Sequence, residues 1–293
     1  MFFLAVAGGL FLPCQLARAS DFPSPQVDPA LSAGGGFKKI LVFLKCSEYE
    51  DPMVHRDHGQ PGKAESVLGD LGKENHILLT FTADGSVFTP ETLASYDAIC
   101  FFTSGDLTQP GADRNPPMTP EGKAALLQAI YNGKGFIGIH SAAATFQSTT
   151  NTVDPYIQML GGEILVRVRG LEPAHQIIAD TNFPGLGRVP ANFAPTEEWY
   201  ALRNYAADLH VLMVMDTASM VRGSYYAPDY PTTWARRYGR GRVFYTCLGH
   251  QKETWDSPVF KSILGGGLKW ADGSVSADIT PNMDRVAPQI KKP

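Results

Sequence analysis

The stretch GKGFIGIHSAAAT, Gly133 to Thr145, decides the fold. A short apolar run, Phe136 to Ile139, is broken only by Gly138, is bounded by glycines and ends on His140, after which small residues suit the opening of a helix. A run that is apolar at consecutive positions predicts a strand covered on both faces, as in parallel sheets. The imidazole at its carboxyl end then falls where open α/β sheets gather their ligand-binding residues.

Outward from this stretch the same kind of run recurs. KKILVFL (Lys38 to Leu44), HILLTFT (His76 to Thr82) and AICFFT (Ala98 to Thr103) read as three further strands, with Lys63 to Leu71 as the first crossover helix. Thr89-Pro90-Glu91 and Thr119-Pro120-Glu121 are helix starts with proline at the first helical position, and Asn132-Gly133 is a stop. From Ile164 the pattern changes. ILVRVR, HQIIAD, HVLMVMD and the pair TTWARRY/RVFYTCL around Gly239 to Gly241 predict added, partly antiparallel strands before a closing helix from Ser257-Pro258 to about Trp270. The class is α/β: a doubly wound, mostly parallel sheet with a partly antiparallel edge.

The first residues are apolar for about a dozen positions and reach Ala17-Arg18-Ala19, a small-x-small cleavage pattern, so residues 1–19 are expected to be a signal peptide and the protein periplasmic or secreted. Residues 20–36, rich in Pro, Ser and Gly, read as a flexible linker. One domain over 37–273 and a tail over 274–293 follow. The chain carries 25 basic and 29 acidic residues, a formal charge of −4 that gives no reason to expect nucleic acid as a partner. Of the four cysteines, Cys46, Cys100 and Cys247 lie outside the signal, and their spacing matches no CxxC metal site. Cys100 and Cys247 sit in apolar runs and read as buried hydrophobes. No GxGxxG follows the first strand, which disfavours a nicotinamide enzyme.

Polar residues collect where the strands end. The loop after strand one holds Cys46, Glu50, Asp51, His55 and His58; strand three leads to Asp106, strand four to His140 and Ser141, and RVFYTCL to His250. His140 can serve as a general base, a metal ligand or a polar anchor. PTEEWYALR (Pro195 to Arg203) places paired carboxylates, Glu197 and Glu198, beside Trp199 and Tyr200, a combination suited to sugars because a ring face stacks on an aromatic while a carboxylate moves hydroxyl protons. His58, His140, His175, His250 and Glu198 supply enough donors for three ligands to a divalent metal, with His58, His140 and His250 as the leading candidates, although no HExxH spacing is present.

These residues carry a family resemblance. ILVFLK with His58 in the following loop, LASYDAICFF, GKGFIGIHSAA, TEEWY, HVLMVMD, GRGRVFYTCLGH and LGGGLKWA, in that order over Lys38 to Gly273, resemble the ThuA-like (trehalose-utilisation) family. The resemblance implies a flavodoxin-like sheet of the class I glutamine amidotransferase-like type. The elbow cysteine of the amidotransferase relatives is replaced here by His140, which argues against Cys-dependent glutaminase chemistry. The family's site histidines correspond to His58 (or His55, the loop being long), His140 and His250, its acid to Glu198, and a strand-start histidine to His175.

The expected function is carbohydrate metabolism, on trehalose-like glycosides or their keto derivatives. His140, Glu198, His250 and His58 are the expected catalytic residues, and Trp199, Tyr200, Asp106, Glu197 and His175 the expected substrate contacts. The alternatives are a non-catalytic sugar-binding partner of a sugar oxidoreductase and a hydrolase using Cys46 or Ser141 as nucleophile. A homo-oligomer is compatible with either.

Overall fold

The computed structural model describes residues 36–111, 113–149, 151–167, 170–220 and 229–290. The expected signal peptide and all but the last residue of the expected linker lie outside them. Twelve strands are described: β1 (Lys38–Phe43), β2 (Ile77–Thr82), β3 (Ala98–Phe101), β4 (Gly135–Ile139), β5 (Glu163–Arg167), β6 (Glu172–Pro173), β7 (Gln176–Ile178), β8 (Thr196–Glu197), β9 (Tyr200–Arg203), β10 (His210–Met215), β11 (Tyr230–Tyr238) and β12 (Gly241–Thr246). The helices are α1 (Lys63–Glu74), α2 (Pro90–Ala94), α3 (Pro120–Tyr131), α4 (Pro155–Leu160), α5 (Lys252–Asp256), α6 (Pro258–Ala271) and α7 (Met283–Val286).

Eight strands form one sheet in the order β2-β1-β3-β4-β12-β11-β10-β7. The first five are mutually parallel and the last three run antiparallel, so the mixed edge expected from the change of pattern after Ile164 is present. β5–β9 and β6–β8 are two small antiparallel pairs of their own. β1, β3, β4 and β12 are buried along nearly their whole length, which is why their sequences are continuously apolar. Gly138 is closely covered: a Cβ there would meet Leu160 Cδ1 and Tyr245 Cδ2 at 3.0 Å, so glycine lets the α4 and β12 side chains close against the strand.

The helix starts follow the chemistry of their first residues. Thr89 Oγ1 accepts from Thr92 N–H, and Thr119 Oγ1 from Gly122 N–H, each followed by proline at the first helical position. α6 buries Phe260, Ile263, Leu264, Leu268 and Trp270 and closes the sheet. Residues 274–290, expected as a tail, dock instead along β10: the Asn282 side chain bonds both the N–H and the carbonyl of Val211, and Met283 is buried in the core. Because β1 to β4 and β12 all point the same way, their carboxyl ends, at Leu44, Ala83, Phe102, His140 and Cys247, lie along one edge.

Candidate functional site

β4 leads straight into His140, whose φ of +45° is a left-handed conformation rare for a side-chain-bearing residue. With the small residues after it, it forms a tight 3-10 turn (His140–Ala144), and the imidazole turns inward, 1% exposed. His140 Nδ1 lies 2.8 Å from the Cys247 carbonyl oxygen, at the end of the neighbouring β12. A carbonyl only accepts, so Nδ1 carries a proton. Tyr200 Oη lies 2.5 Å from that Nε2, and the two rings stack with centroids 4.6 Å apart. Tyr200 donates its hydroxyl proton to Nε2 whenever that nitrogen carries none.

Two carboxylates converge on the same nitrogen. Glu198 Oε2 is 3.8 Å from Nε2 and Asp51 Oδ2 is 3.9 Å away. Asp51 stands in the loop after β1, where its Oδ1 accepts from Met53 N–H and its carbonyl from Val54 N–H, a turn that fixes the side chain. Its Oδ2 accepts at 2.7 Å from Nδ1 of His250. Burial pulls the His250 pKa down, but the hydrogen bond to Asp51 and the charges of Asp51, Glu198 and Glu197 outweigh it, and the net shift is upward from 6.5. The His140 and His250 rings are 5.2 Å apart.

TEEWY lies across this edge as an extended segment, and its period of two divides the roles. Glu198 and Tyr200 reach His140. Glu197 and Trp199 face the other way: Glu197 is wholly buried, its two oxygens accepting from the N–H groups of Gly249 (3.0 Å) and His250 (3.1 Å). Burial raises its pKa, against the opposing pull of His140, Thr254, Gly249 and His250. Glu197 is thus an anchor for the turn carrying His250, not a sugar contact. Trp199 is also fully buried and donates its indole N–H to the Glu172 carbonyl, so it offers no stacking face. Tyr200 stacks on His140 rather than on a ligand.

Other expected residues stand apart. The His58 side chain is 81% exposed and lies 3.4 Å from Asp57, and His55 pairs with Glu50 in the same loop; neither joins the cluster, and Asp51 takes the place expected of them. The reason is geometric: Asp51 follows β1 by eight residues and folds back over the edge, while the loop carries His58 outward before α1. His175 bonds the Ala191 carbonyl and faces Asp216 beside β7. Asp106 is exposed and caps its own turn through Thr108. Cys46 and Cys247 are buried, and burial pushes both thiols up to about 12, which removes Cys46 as a nucleophile at neutral pH. The Ser141 hydroxyl is buried with no hydrogen-bond partner, so no base activates it.

Among the described residues, Asp51, His140 and His250 each offer one ligand atom, all within 4.8 Å of one another. One carboxylate and two imidazoles form a donor set suited to a divalent ion such as zinc, and the Nδ1–H donated by His140 to a backbone carbonyl is how a metal-binding histidine is oriented; such an ion at His140 Nε2 would take the place of the Tyr200 hydrogen bond. The metal candidates expected from sequence are thereby corrected from His58, His140 and His250 to Asp51, His140 and His250. The cluster sets two imidazoles beside two carboxylates, and of the four side chains His250 and Glu198 are the more exposed, at 13% and 14%.

A family model described as ThuA, trehalose utilisation, matches residues 51–271. No curated protein matches at a significant level. Among solved structures, a ThuA-like protein from Bacteroides uniformis is 21% identical, with 83% of this chain and 94% of that one covered and a TM-score of 0.62. A ThuA-like protein from Parabacteroides merdae is 16% identical over 84% and 93% of the two chains, at 0.57. A cytoplasmic protein from Salmonella typhimurium is 12% identical over 80% and 99%, at 0.52. At these identities the structural likenesses speak to the fold.

Proposed function

The chain belongs to the ThuA, trehalose-utilisation family, with a role in carbohydrate metabolism, and from that premise we propose that it is an exported enzyme acting on glycosides, trehalose-like disaccharides among them, or on their keto derivatives. The observation that carries the reading is the convergence of Tyr200, Glu198 and Asp51 on one nitrogen of a buried histidine at the carboxyl edge of a parallel sheet. The apolar opening residues and the Ala17-Arg18-Ala19 pattern support export.

On a keto-glycoside the reaction balances as an elimination. Glu198 takes the proton from the carbon beside the carbonyl, the electron pair passes through the enolate, and the glycosidic C–O bond breaks. The leaving oxygen takes a proton from the His140–Tyr200 pair. Glu198, the more exposed of the two proton carriers, faces the substrate, while His140 is held in one tautomer by Cys247. His250 is held by Asp51 and by the Glu197 anchor. General acid–base groups contribute about 10²–10⁴-fold each.

Assays of His140→Ala and Glu198→Gln on oxidised and unoxidised disaccharides test the proposal, with a loss of that order expected in both. Undiminished turnover in both variants refutes it. Saccharide affinity in calorimetry, with no product from the unmodified protein, would favour the non-catalytic partner of an oxidoreductase instead.

A further inference from the structure

A cavity of about 650 Å³ lies behind the turn that carries His250, between the segment before β8 and the start of α5 and α6. That volume is in the range of small-molecule sites. None of Asp51, His140, Glu198, Tyr200 or His250 lines it. The Gly249 turn stands between: a Cβ built there would meet His140 Cβ at 3.6 Å on one side and Phe260 Cζ at 3.7 Å on the other. The cavity is therefore a site of its own, not an arm of the reacting cluster. Its floor is fixed, because Thr254 hydrogen-bonds the buried Glu197 carboxyl and the Ser257 hydroxyl caps α6.

The lining divides by chemistry. The half-buried Phe193 ring, with Leu171 beside it, offers an apolar platform, while the amides of Asn192 and Gln251, the Thr196 hydroxyl and the Glu253 carboxylate offer donors and acceptors around it. We propose that this cavity is a second, non-reacting saccharide site, selective for a neutral pyranose. A pyranose matches both halves of the lining: its C–H face packs on the phenyl ring, and its hydroxyls, each donor and acceptor, meet amides that are also both. A wholly apolar ligand would instead desolvate those polar groups and leave them unpaired, which costs affinity for each one. Among the described residues, no lysine, arginine or histidine lines the cavity, and Glu253 repels negative charge, so phosphorylated and carboxylated sugars are disfavoured. The assignment goes beyond the reaction proposed at His140 and Glu198, since the lining alone argues for it.

The test is calorimetry with methyl glucoside and glucose 6-phosphate on the unaltered protein and on Asn192→Leu, Phe193→Ala and His140→Ala. Asn192→Leu removes an exposed amide from the rim, and Phe193→Ala removes the platform. Methyl glucoside affinity is expected to survive in His140→Ala and to fall at least tenfold in each cavity variant, with glucose 6-phosphate at least tenfold weaker than methyl glucoside on the unaltered protein. No binding of methyl glucoside, or equal affinity for the phosphate, overturns the assignment. Affinity lost in His140→Ala and unchanged in both cavity variants overturns it as well and leaves the reading at His140 standing. Affinity that follows the cavity variants, with undiminished disaccharide turnover in both His140→Ala and Glu198→Gln, upholds this site and overturns the reading at His140.

Discussion

Glu197→Ala removes a carboxylate whose two oxygens satisfy the buried N–H of Gly249 and the part-buried N–H of His250, with a further hydrogen bond to Thr254. Each donor left unpaired costs about 1–3 kcal/mol, and the bonds lost are charge-assisted. Against this stands relief from burying the carboxylate, a penalty visible in its raised pKa. Taking the two backbone donors near the middle of the range and subtracting about 1 kcal/mol for that relief leaves a net loss of about 3 kcal/mol. Glu197→Gln keeps one acceptor but turns an amide N–H₂ toward a backbone N–H, so about half that loss is expected. For a slope of about 3 kcal/mol per molar urea the midpoint should fall by about 1 M in Glu197→Ala and about 0.5 M in Glu197→Gln. Urea titration followed by tryptophan fluorescence reads it. A fall below about 0.3 M in Glu197→Ala would show that water or a shifted Thr254 replaces the carboxylate, and the anchoring role would be wrong.

Other outcomes follow from the same geometry. Zinc titrated into apo protein should fill one site per chain and none in Asp51→Asn; equal stoichiometry in both would remove Asp51 from the metal-binding set. With Cys46 and Cys247 thiols near 12 and Cys100 raised as well, iodoacetamide at pH 8 should leave all three unlabelled in peptide maps until urea is added, and labelling of native Cys46 would contradict its burial. Asp272 Oδ2 is buried with no hydrogen-bond partner, and burial raises its pKa above 3.8. A raised folded-state value means the protonated form favours folding: that contribution is full below pH 3.8 and lost as pH rises through the folded-state value. Asp272→Asn removes that buried charge and should therefore stabilise the protein at pH 7. The gain should vanish below pH 3.8; a gain that persists there would place its cause elsewhere.

The sheet was legible because burial on both faces forces continuous apolar runs, and β1, β3, β4 and β12 read that way directly. His140 and His250 were legible because strand ends are where such sheets present polar side chains. Asp51 was visible as one of several loop acids, and only the proline that follows it separates it in the linear order from Glu50 or Asp57. Its place depends on how far the loop folds back before α1. In TEEWY the composition pointed to the right segment and to Glu198 and Tyr200, but also to Glu197 and Trp199, which turn inward. The alternation that sends Trp199 and Glu197 into the interior, and Glu198 and Tyr200 to His140, requires knowing which side of the segment the edge lies on. Asp51-Pro52-Met53 did contain a usable signal, since an aspartate opening a proline turn is fixed in orientation where His58, further along the loop, is not.

The left-handed backbone at His140 also limits what evolution or an engineer can place there. A conformation costing a bulky residue of order 1–3 kcal/mol is tolerated by glycine at no steric cost and by asparagine or aspartate with less strain than most, so neutral drift away from the imidazole should run through those three and avoid valine or isoleucine. Restoring a cysteine nucleophile at this elbow would keep the same torsion while giving up two hydrogen bonds, to Cys247 and Tyr200, so the retrofitted enzyme would begin with a weaker scaffold than the one it replaced.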